Sequence, residues 1–223
     1  MEQYIAVAID GPSGAGKSTL ARAVAAEFGF LYVDTGALYR TVGLYIRRKE
    51  IDPDDAAAVA AALPGARVSL AYRGGEQRVF LEDEDVSEAI RTPEASRYAS
   101  KVSAIPAVRA FLLETQRRMA RENNVVMDGR DIGTVVLPDA KIKLFLHASA
   151  EDRARRRFEE LQARGTPQPY EEVLADIQER DERDENRAAA PLRRADDAID
   201  LDTTGNTLEQ SRALLIRTVR ERL

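Results

Sequence analysis

The 223-residue chain, 44% apolar and 32% charged, suits one α/β domain with a sizeable core and one or two small insertions; it is short for two independent domains. A net charge of −5 argues against a protein that coats nucleic acid, which needs an excess of Lys and Arg, and the absence of cysteine excludes disulfides, thiolate zinc sites and cysteine nucleophiles. The first four residues show no basic segment leading into an apolar one, and no stretch approaches the ~18 apolar residues of a membrane span, so a cytoplasmic monomer without nucleic-acid or membrane partners is expected.

Ile5-Ala6-Val7-Ala8-Ile9 is continuously apolar, as a strand buried on both faces should be. A helix is predicted over 18–28, a short strand over 30–33 ending in Asp34-Thr35-Gly36, and a helix over 37–48. Asp52 reads as a cap with Pro53 at the first helical position, so an Ala-rich helix should run from there to 63. Between 64 and 90, Arg67-Val68-Ser69-Leu70 and Arg78-Val79-Phe80-Leu81 flank a turn containing Arg73-Gly74-Gly75, a hairpin with one polar face. Helices follow over 93–101 and 106–122, then strands at Val125-Val126-Met127 and 141–146. Ser149, with Asp152 three residues on, gives a capping-box signature for a helix to 164; after the loop at 165–169 a second charged helix runs to 187. The two resemble a hairpin able to close as a lid. Ala198-Ile199-Asp200-Leu201 is the last strand, and a helix over 207–220 ends the chain. Strands alternating with helices imply right-handed crossovers and a parallel sheet. The expected organisation is a core of 1–63, 91–148 and 195–223, an inserted hairpin at 64–90 and a lid at 149–194.

Gly11-Pro12-Ser13-Gly14-Ala15-Gly16-Lys17-Ser18 fits G-x-x-x-x-G-K-[ST] between a predicted strand and a predicted helix, the context this phosphate-binding loop requires. Glycine permits the positive φ angles that turn successive N–H groups toward one point, and the helix N-terminus adds partial positive charge. The loop is expected to hold ATP, with Lys17 on the β and γ phosphates and the Ser18 hydroxyl on Mg²⁺, assisted by Thr19.

None of the five lysines has Asp two positions later, so the guanine-reading segment of a regulatory GTPase is missing, and the length leaves little room for the extra domains of transport or remodelling ATPases. A small-molecule kinase leads. Arginines number 28, and Arg153, Arg156 and Arg157 share one helix face, as do Arg180, Asp184 and Arg187. In a phosphate-binding protein such arginines can neutralise a transferred phosphoryl group. A monophosphate acceptor has its second pKa near ~6, so its attacking oxygen is already ionised at neutral pH and no general base is needed. The single histidine, His147, at the end of an apolar strand, reads as structural. A kinase for another monophosphate, or a module that binds ATP without transfer, stays open at this level.

Four segments in order, Ile9-Asp10-Gly11-Pro12-Ser13-Gly14-Ala15-Gly16-Lys17, Asp34-Thr35-Gly36-Ala37-Leu38-Tyr39-Arg40, Asp128-Gly129-Arg130-Asp131-Ile132-Gly133-Thr134-Val135-Val136, and Arg180-Asp181-Glu182-Arg183-Asp184-Glu185-Asn186-Arg187 with Ala190-Pro191-Leu192 after it, resemble the bacterial cytidylate kinases, a branch of the P-loop nucleoside monophosphate kinases. The resemblance implies a three-layer α/β fold with a five-stranded parallel sheet, a helical lid, and a small antiparallel sheet inserted at the monophosphate site. It implies ATP-dependent phosphorylation of CMP and dCMP in pyrimidine nucleotide metabolism, with Lys17, Arg130, Arg153 and Arg157 as the catalytic set. By the same resemblance Arg40, Arg130 and Arg187 contact the CMP phosphate, Arg180 and Asp184 lie near the sugar, and Ser100, Arg109 and Asp131 read cytosine. Thr35 keeps a hydroxyl where serine also occurs in the family. Chemistry agrees on the base, since a carboxylate suits the cytosine N4 donor and an arginine the N3 and O2 acceptors, whereas uracil would set O4 against Asp131.

Overall fold

In chain order the elements are β1 (Ala6–Asp10), α1 (Lys17–Phe28), β2 (Leu31–Asp34), α2 (Thr35–Arg48), α3 (Ala56–Ala62), β3 (Val68–Arg73), β4 (Glu76–Leu81), β5 (Glu84–Asp85), α4 (Pro93–Val102) and α5 (Pro106–Glu122). β6 (Val125–Gly129), a π turn (Ile132–Val136), β7 (Ile142–His147), α6 (Ala150–Ala163), α7 (Tyr170–Asn186), β8 (Ile199–Asp202) and α8 (Leu208–Arg220) complete the chain. The computed structural model describes residues 4–74 and 76–223, so Gly75 of the predicted hairpin turn, like residues 1–3, lies outside the described residues.

Five strands form one parallel sheet in the order β2-β6-β1-β7-β8. The unbroken apolar run of β1 has its reason in this place: Val7 and Ile9 pack with Leu20 and Val24 of α1 and Leu215 and Val219 of α8, while Ala8 faces the layer that holds Met127, Val136 and α5. Each fully buried Val or Ile here contributes roughly 1.5–3 kcal/mol of transfer free energy. Helices on both faces make the sheet the middle of three layers.

β3, β4 and β5 form a separate antiparallel sheet. Its buried side chains Val79 and Leu81 join Leu38 and Ile46 of α2, Val59, Val102 and Leu112 in a second core, which fixes the insertion against the helices beside the cleft. α6 and α7 share a small cluster of their own, Ala154, Leu161, Val173 and Ile177, with Phe158 edge-on to Tyr170 at 6.1 Å between centroids.

Three expectations need correction. The Ala-rich helix starts at Ala56 rather than at Pro53: Asp52 closes a turn by accepting from the Asp54 N–H, and Asp55 is the cap, accepting from the N–H groups of Ala57 and Ala58 at 3.1 and 3.0 Å. Ser149 makes only half a capping box. Its Oγ accepts from the Asp152 N–H at 3.1 Å, but the Asp152 carboxylate pairs with Arg155 and Arg156, and the Ser149 N–H donates to Thr204 Oγ1. The reciprocal box stands instead at Thr207 and Gln210. The helix predicted from 37 begins at Thr35, because Asp34 Oδ1 accepts from the Ala37 N–H and caps it two residues earlier.

Candidate active site

Residues 11–16 carry the chain from the end of β1 into α1. A Cβ at Gly11, where φ is 151°, would lie 1.9 Å from the Leu146 carbonyl oxygen of β7, so only glycine lets the loop leave the sheet here. Gly16 caps α1 in the left-handed region, and the α1 N-terminus opens toward the cleft. Lys17 folds back over the loop, Nζ donating to the Pro12 carbonyl at 2.6 Å. Burial, then the charges of Arg130 and Arg180, lower its pKa well below the usual lysine value, with Asp128 and Asp184 opposing. Ser18 Oγ donates to Asp128 Oδ2 at 2.8 Å and Tyr32 Oη to Oδ1 at 2.9 Å. Burial, and then Asp34, push the Asp128 carboxyl up.

One cleft of about 550 Å³ runs from this loop along the C-terminal ends of the strands. Ser13, Gly14, Gly16, Lys17, Ser18 and Thr19 line the end of the cleft at the loop; Gly11, Pro12 and Ala15 are buried behind them. All nine residues expected around CMP line it as well. The Thr35 hydroxyl donates to the Asp128 carbonyl at 2.7 Å, and Arg40 pairs with Asp34 at 2.9 Å. Arg130 Nε donates to Asp184 Oδ2 at 2.8 Å. Arg109 pairs with Asp131, donates to the Ser103 carbonyl at 3.1 Å, and stands 5.5 Å over the Tyr39 ring. Arg187 lies 3.6 Å from Asp131 and 3.9 Å from Asp184, and its Nε donates to the Ala190 carbonyl. Ser100 Oγ accepts from Arg183 Nη1 at 2.9 Å.

Positive charge exceeds negative at this end. The Arg180 Nε and an Nη of Arg187 are buried without a hydrogen-bond partner. Burial and then Arg130 hold Arg180 down to about 10; burial and then Arg109 lower Arg187. Asp184 shows the converse: burial pushes its carboxyl up, but Arg130 and Arg180 outweigh it and carry the pKa below the ordinary value. Arg180 and Arg187, lowered by burial and by neighbouring arginines and each with a nitrogen that lacks a partner, have unmet demand for an anion in this concave site.

From α6, Arg153 is buried and committed, donating to the Ala148 and Ser13 carbonyls at 2.9 Å and pairing with Asp181 of α7 at 2.6 Å. It ties the phosphate loop to both helices. Arg156 donates to the Thr203 carbonyl, and Arg157 lines the cleft with one bond, to Glu160. His147 lies outside the cleft lining, 3.2 Å from Asp200.

Four contributors were not foreseen. Asp128 could have been found as the acid one residue before the end of the strand beside β1, in register with Ile9. Arg183 on Ser100, Asp10 on the turn after Asp131, and Gln77 gave no local signal. Gln77 accepts from the Asp34 N–H at 2.9 Å and donates to the Asp34 carbonyl at 3.2 Å, and Tyr72 Oη donates to the Tyr32 carbonyl at 2.8 Å. These bonds satisfy the free edge of β2 with side chains of the inserted sheet, holding the insertion to the core.

The family model for cytidylate kinase matches residues 7–221. The cytidylate kinase of Geobacter sulfurreducens is 49% identical over 97% of this chain and 93% of its own length, and that of Caldanaerobacter subterraneus subsp. tengcongensis is 52% identical over 92% and 90%. In shape, an uncharacterized protein from Eubacterium ventriosum superposes with a TM-score of 0.56 over 99% of this chain at 14% identity, a likeness of fold alone. A match that spans both the phosphate loop and the arginine-rich wall, at about half identity to relatives of nearly equal length, means that the chain belongs to the cytidylate kinase family.

Proposed function

We propose that the protein transfers the γ-phosphoryl group of ATP directly and in line to CMP or dCMP. A CMP phosphate oxygen forms the new P–O bond, the bond to the β-phosphate bridge breaks, and ADP leaves with the pair of electrons. The observation that carries this reading is a phosphate loop at one end of a single cleft and an excess of buried arginine around an unpartnered Arg180 at the other. Arg40, Arg130 and Arg187 hold the acceptor phosphate, Arg180 and Asp184 the sugar, and Ser100, Arg109 and Asp131 the base, with Thr35 on the wall between them. Lys17 leaves the Pro12 carbonyl for the donor phosphates, and residues 11–19 surround them, all but Pro12 offering a backbone N–H. Arg157, with a single partner, is free to turn toward the transferred group. Arg153 braces the loop and supplies charge behind it.

No base is needed, because the attacking oxygen is ionised near neutral pH and the one histidine lies outside the cleft lining. Positioning and charge neutralisation supply the rate. Ser18 Oγ, 2.8 Å from a buried Asp128 carboxylate whose ionised form burial disfavours, offers the hard oxygen donors that fit Mg²⁺. Ser18 and Asp128 would hold it together with the nucleotide phosphates. When bound, the ion neutralises charge on those phosphates. The insertion (64–90) and the lid (149–194) would close over the acceptor and the donor respectively. Among the described residues no helix is long and apolar enough to cross a membrane.

The test is ADP formation measured with CMP, dCMP, UMP and AMP. CMP and dCMP should be preferred; clear preference for AMP or UMP, or tight ATP binding without turnover on any acceptor, overturns the proposal.

A further inference from the structure

Asp10 ends β1 and immediately precedes Gly11, so its place in the sequence puts it with the ATP loop. Its side chain serves the other substrate's wall. Oδ1 accepts from the Ile132 N–H at 2.8 Å and Oδ2 from the Gly133 N–H at 2.7 Å, two successive donors 122 and 123 residues away. Those donors are the first two N–H groups of the π turn, which no residue of the turn itself can satisfy. Within the turn, the N–H groups of Val135 and Val136 both donate to the Asp131 carbonyl at 2.9 and 3.1 Å, and Leu137 N–H closes on Ile132 at 2.7 Å.

Asp131 therefore sits between two fixed points. Behind it β6 ends at Gly129, paired with Asp10 itself in the sheet; ahead of it the turn is clamped by the Asp10 carboxylate. Its backbone, at φ −147° and ψ 26°, belongs to neither strand nor helix, so no regular element holds it. The turn packs closely here: a Cβ at Gly133 would lie in ordinary contact with Asp10 Oδ2, at 3.4 Å, and slightly tight against Lys143 Cδ, at 3.2 Å. Asp10 is buried and does not line the cleft.

We infer that Asp10 is a positioning residue for Asp131, and through it sets the choice of acceptor base rather than the handling of ATP. The inference rests on the reading of Asp131 as the group that takes the cytosine N4 hydrogen bond.

The experiment is steady-state kinetics of Asp10→Asn with ATP, CMP and UMP, beside Asp131→Asn and wild type. Asn keeps the size but offers one acceptor and turns an NH₂ toward the second N–H. Asp10→Asn should raise the KM for CMP about ten-fold and shrink the CMP to UMP ratio of kcat/KM about ten-fold, with the KM for ATP held within about two-fold. A KM for ATP that rises as much as that for CMP while the ratio stays at the wild-type value overturns the inference, because general loosening of the loop would do that. A ratio altered in Asp131→Asn but not in Asp10→Asn overturns the inference alone. A ratio unaltered in Asp131→Asn overturns the base reading and the inference with it. If Asp10→Asn does not fold, Asp10→Ser, which is smaller and keeps one hydroxyl oxygen to accept from a single N–H, should narrow the ratio in the same direction; an unaltered ratio there counts against the inference equally.

Discussion

Neutralising Asp10 should change the pH dependence of stability, and the direction separates two opposed effects. Two backbone N–H donors favour the carboxylate, while burial disfavours it; burial wins, and the pKa rises from 3.8 to about 6, with Asp131 adding to the rise and Lys17 opposing it. A carboxyl that is a weaker acid in the folded state than in the unfolded one binds more protons when folded, so stability falls as pH climbs from the unfolded value through the folded one and is level above it. At about 1.4 kcal/mol per pH unit the whole effect is about 3 kcal/mol, of which about 2 kcal/mol falls between about pH 4.5 and 7.5. Asp10→Asn cannot titrate. It carries a pH-independent penalty for presenting a donor to a buried N–H, roughly 1–3 kcal/mol, but none of the slope. Urea unfolding of both proteins across that range should therefore show the advantage of wild type over Asp10→Asn shrinking by about 2 kcal/mol from the acid end to the neutral end. Comparing the two cancels the other carboxylates. A constant difference would mean that the N–H donors cancel burial, and an advantage that grows with pH that they outweigh it; either would refute the reasoning.

Gln77→Leu removes both side-chain bonds to the edge of β2 at similar volume; KM for CMP should rise roughly five- to a hundred-fold with the KM for ATP unchanged, consistent with two net hydrogen bonds of ~0.5–1.5 kcal/mol each, and an equal rise for both substrates would contradict a role confined to the insertion. Arg157→Ala should lower kcat by roughly ten- to a hundred-fold and leave the KM values within about three-fold, since its contacts are proposed to form mainly in the transition state. A loss that appears in KM alone would place Arg157 in ground-state binding.

The donor half was legible because its constraints are local. A strand covered on both faces must be apolar throughout, a loop pressed against β7 must start with glycine, and both signals lie within residues 5–18. The hairpin was legible for a similar reason, since two alternating runs flank a turn, whereas the two-residue β5 is too short to show a period. Helix starts failed where several capping residues compete: of Asp52 and Asp55 the sequence favours the one before proline, but the one that can reach two free N–H groups is the cap. The acceptor half was not legible from pattern. Nothing near Ser100 or Arg109 marks either for nucleotide contact, and the assignment came from resemblance of whole segments. Arg183 and Gln77 act on partners 83 and 43 residues away, and the π turn has five residues and no periodicity, so only the folded chain brings these relations out.

The long-range contacts share one design at the C-terminal end of the sheet. Three neighbouring strands each carry an aspartate there: Asp34 on β2, Asp128 on β6 and Asp10 on β1, with Asp34 level with Asp128 and Asp10 level with Gly129. Two of the three serve the segment that follows a neighbouring strand. Asp128, on β6, holds Ser18 in the first turn of α1, where the loop after β1 ends; Asp10, on β1, holds the turn after β6. Asp34 caps α2 and steadies Arg40, while its own main chain is held by Gln77 of the insertion. β1 and β6 are thus cross-braced, each fixing the loop that the other carries. In-line transfer depends on the distance and angle between the donor and acceptor phosphates, and a misplacement of about 1 Å can cost on the order of a hundred-fold in rate. Two loops braced independently could drift apart; two loops each held by the other's strand move together with the sheet. The arrangement costs buried negative charge: burial raises the pKa of both Asp10 and Asp128, and the positive charge of Lys17, buried over the loop and bonded to the Pro12 carbonyl, opposes that rise at both.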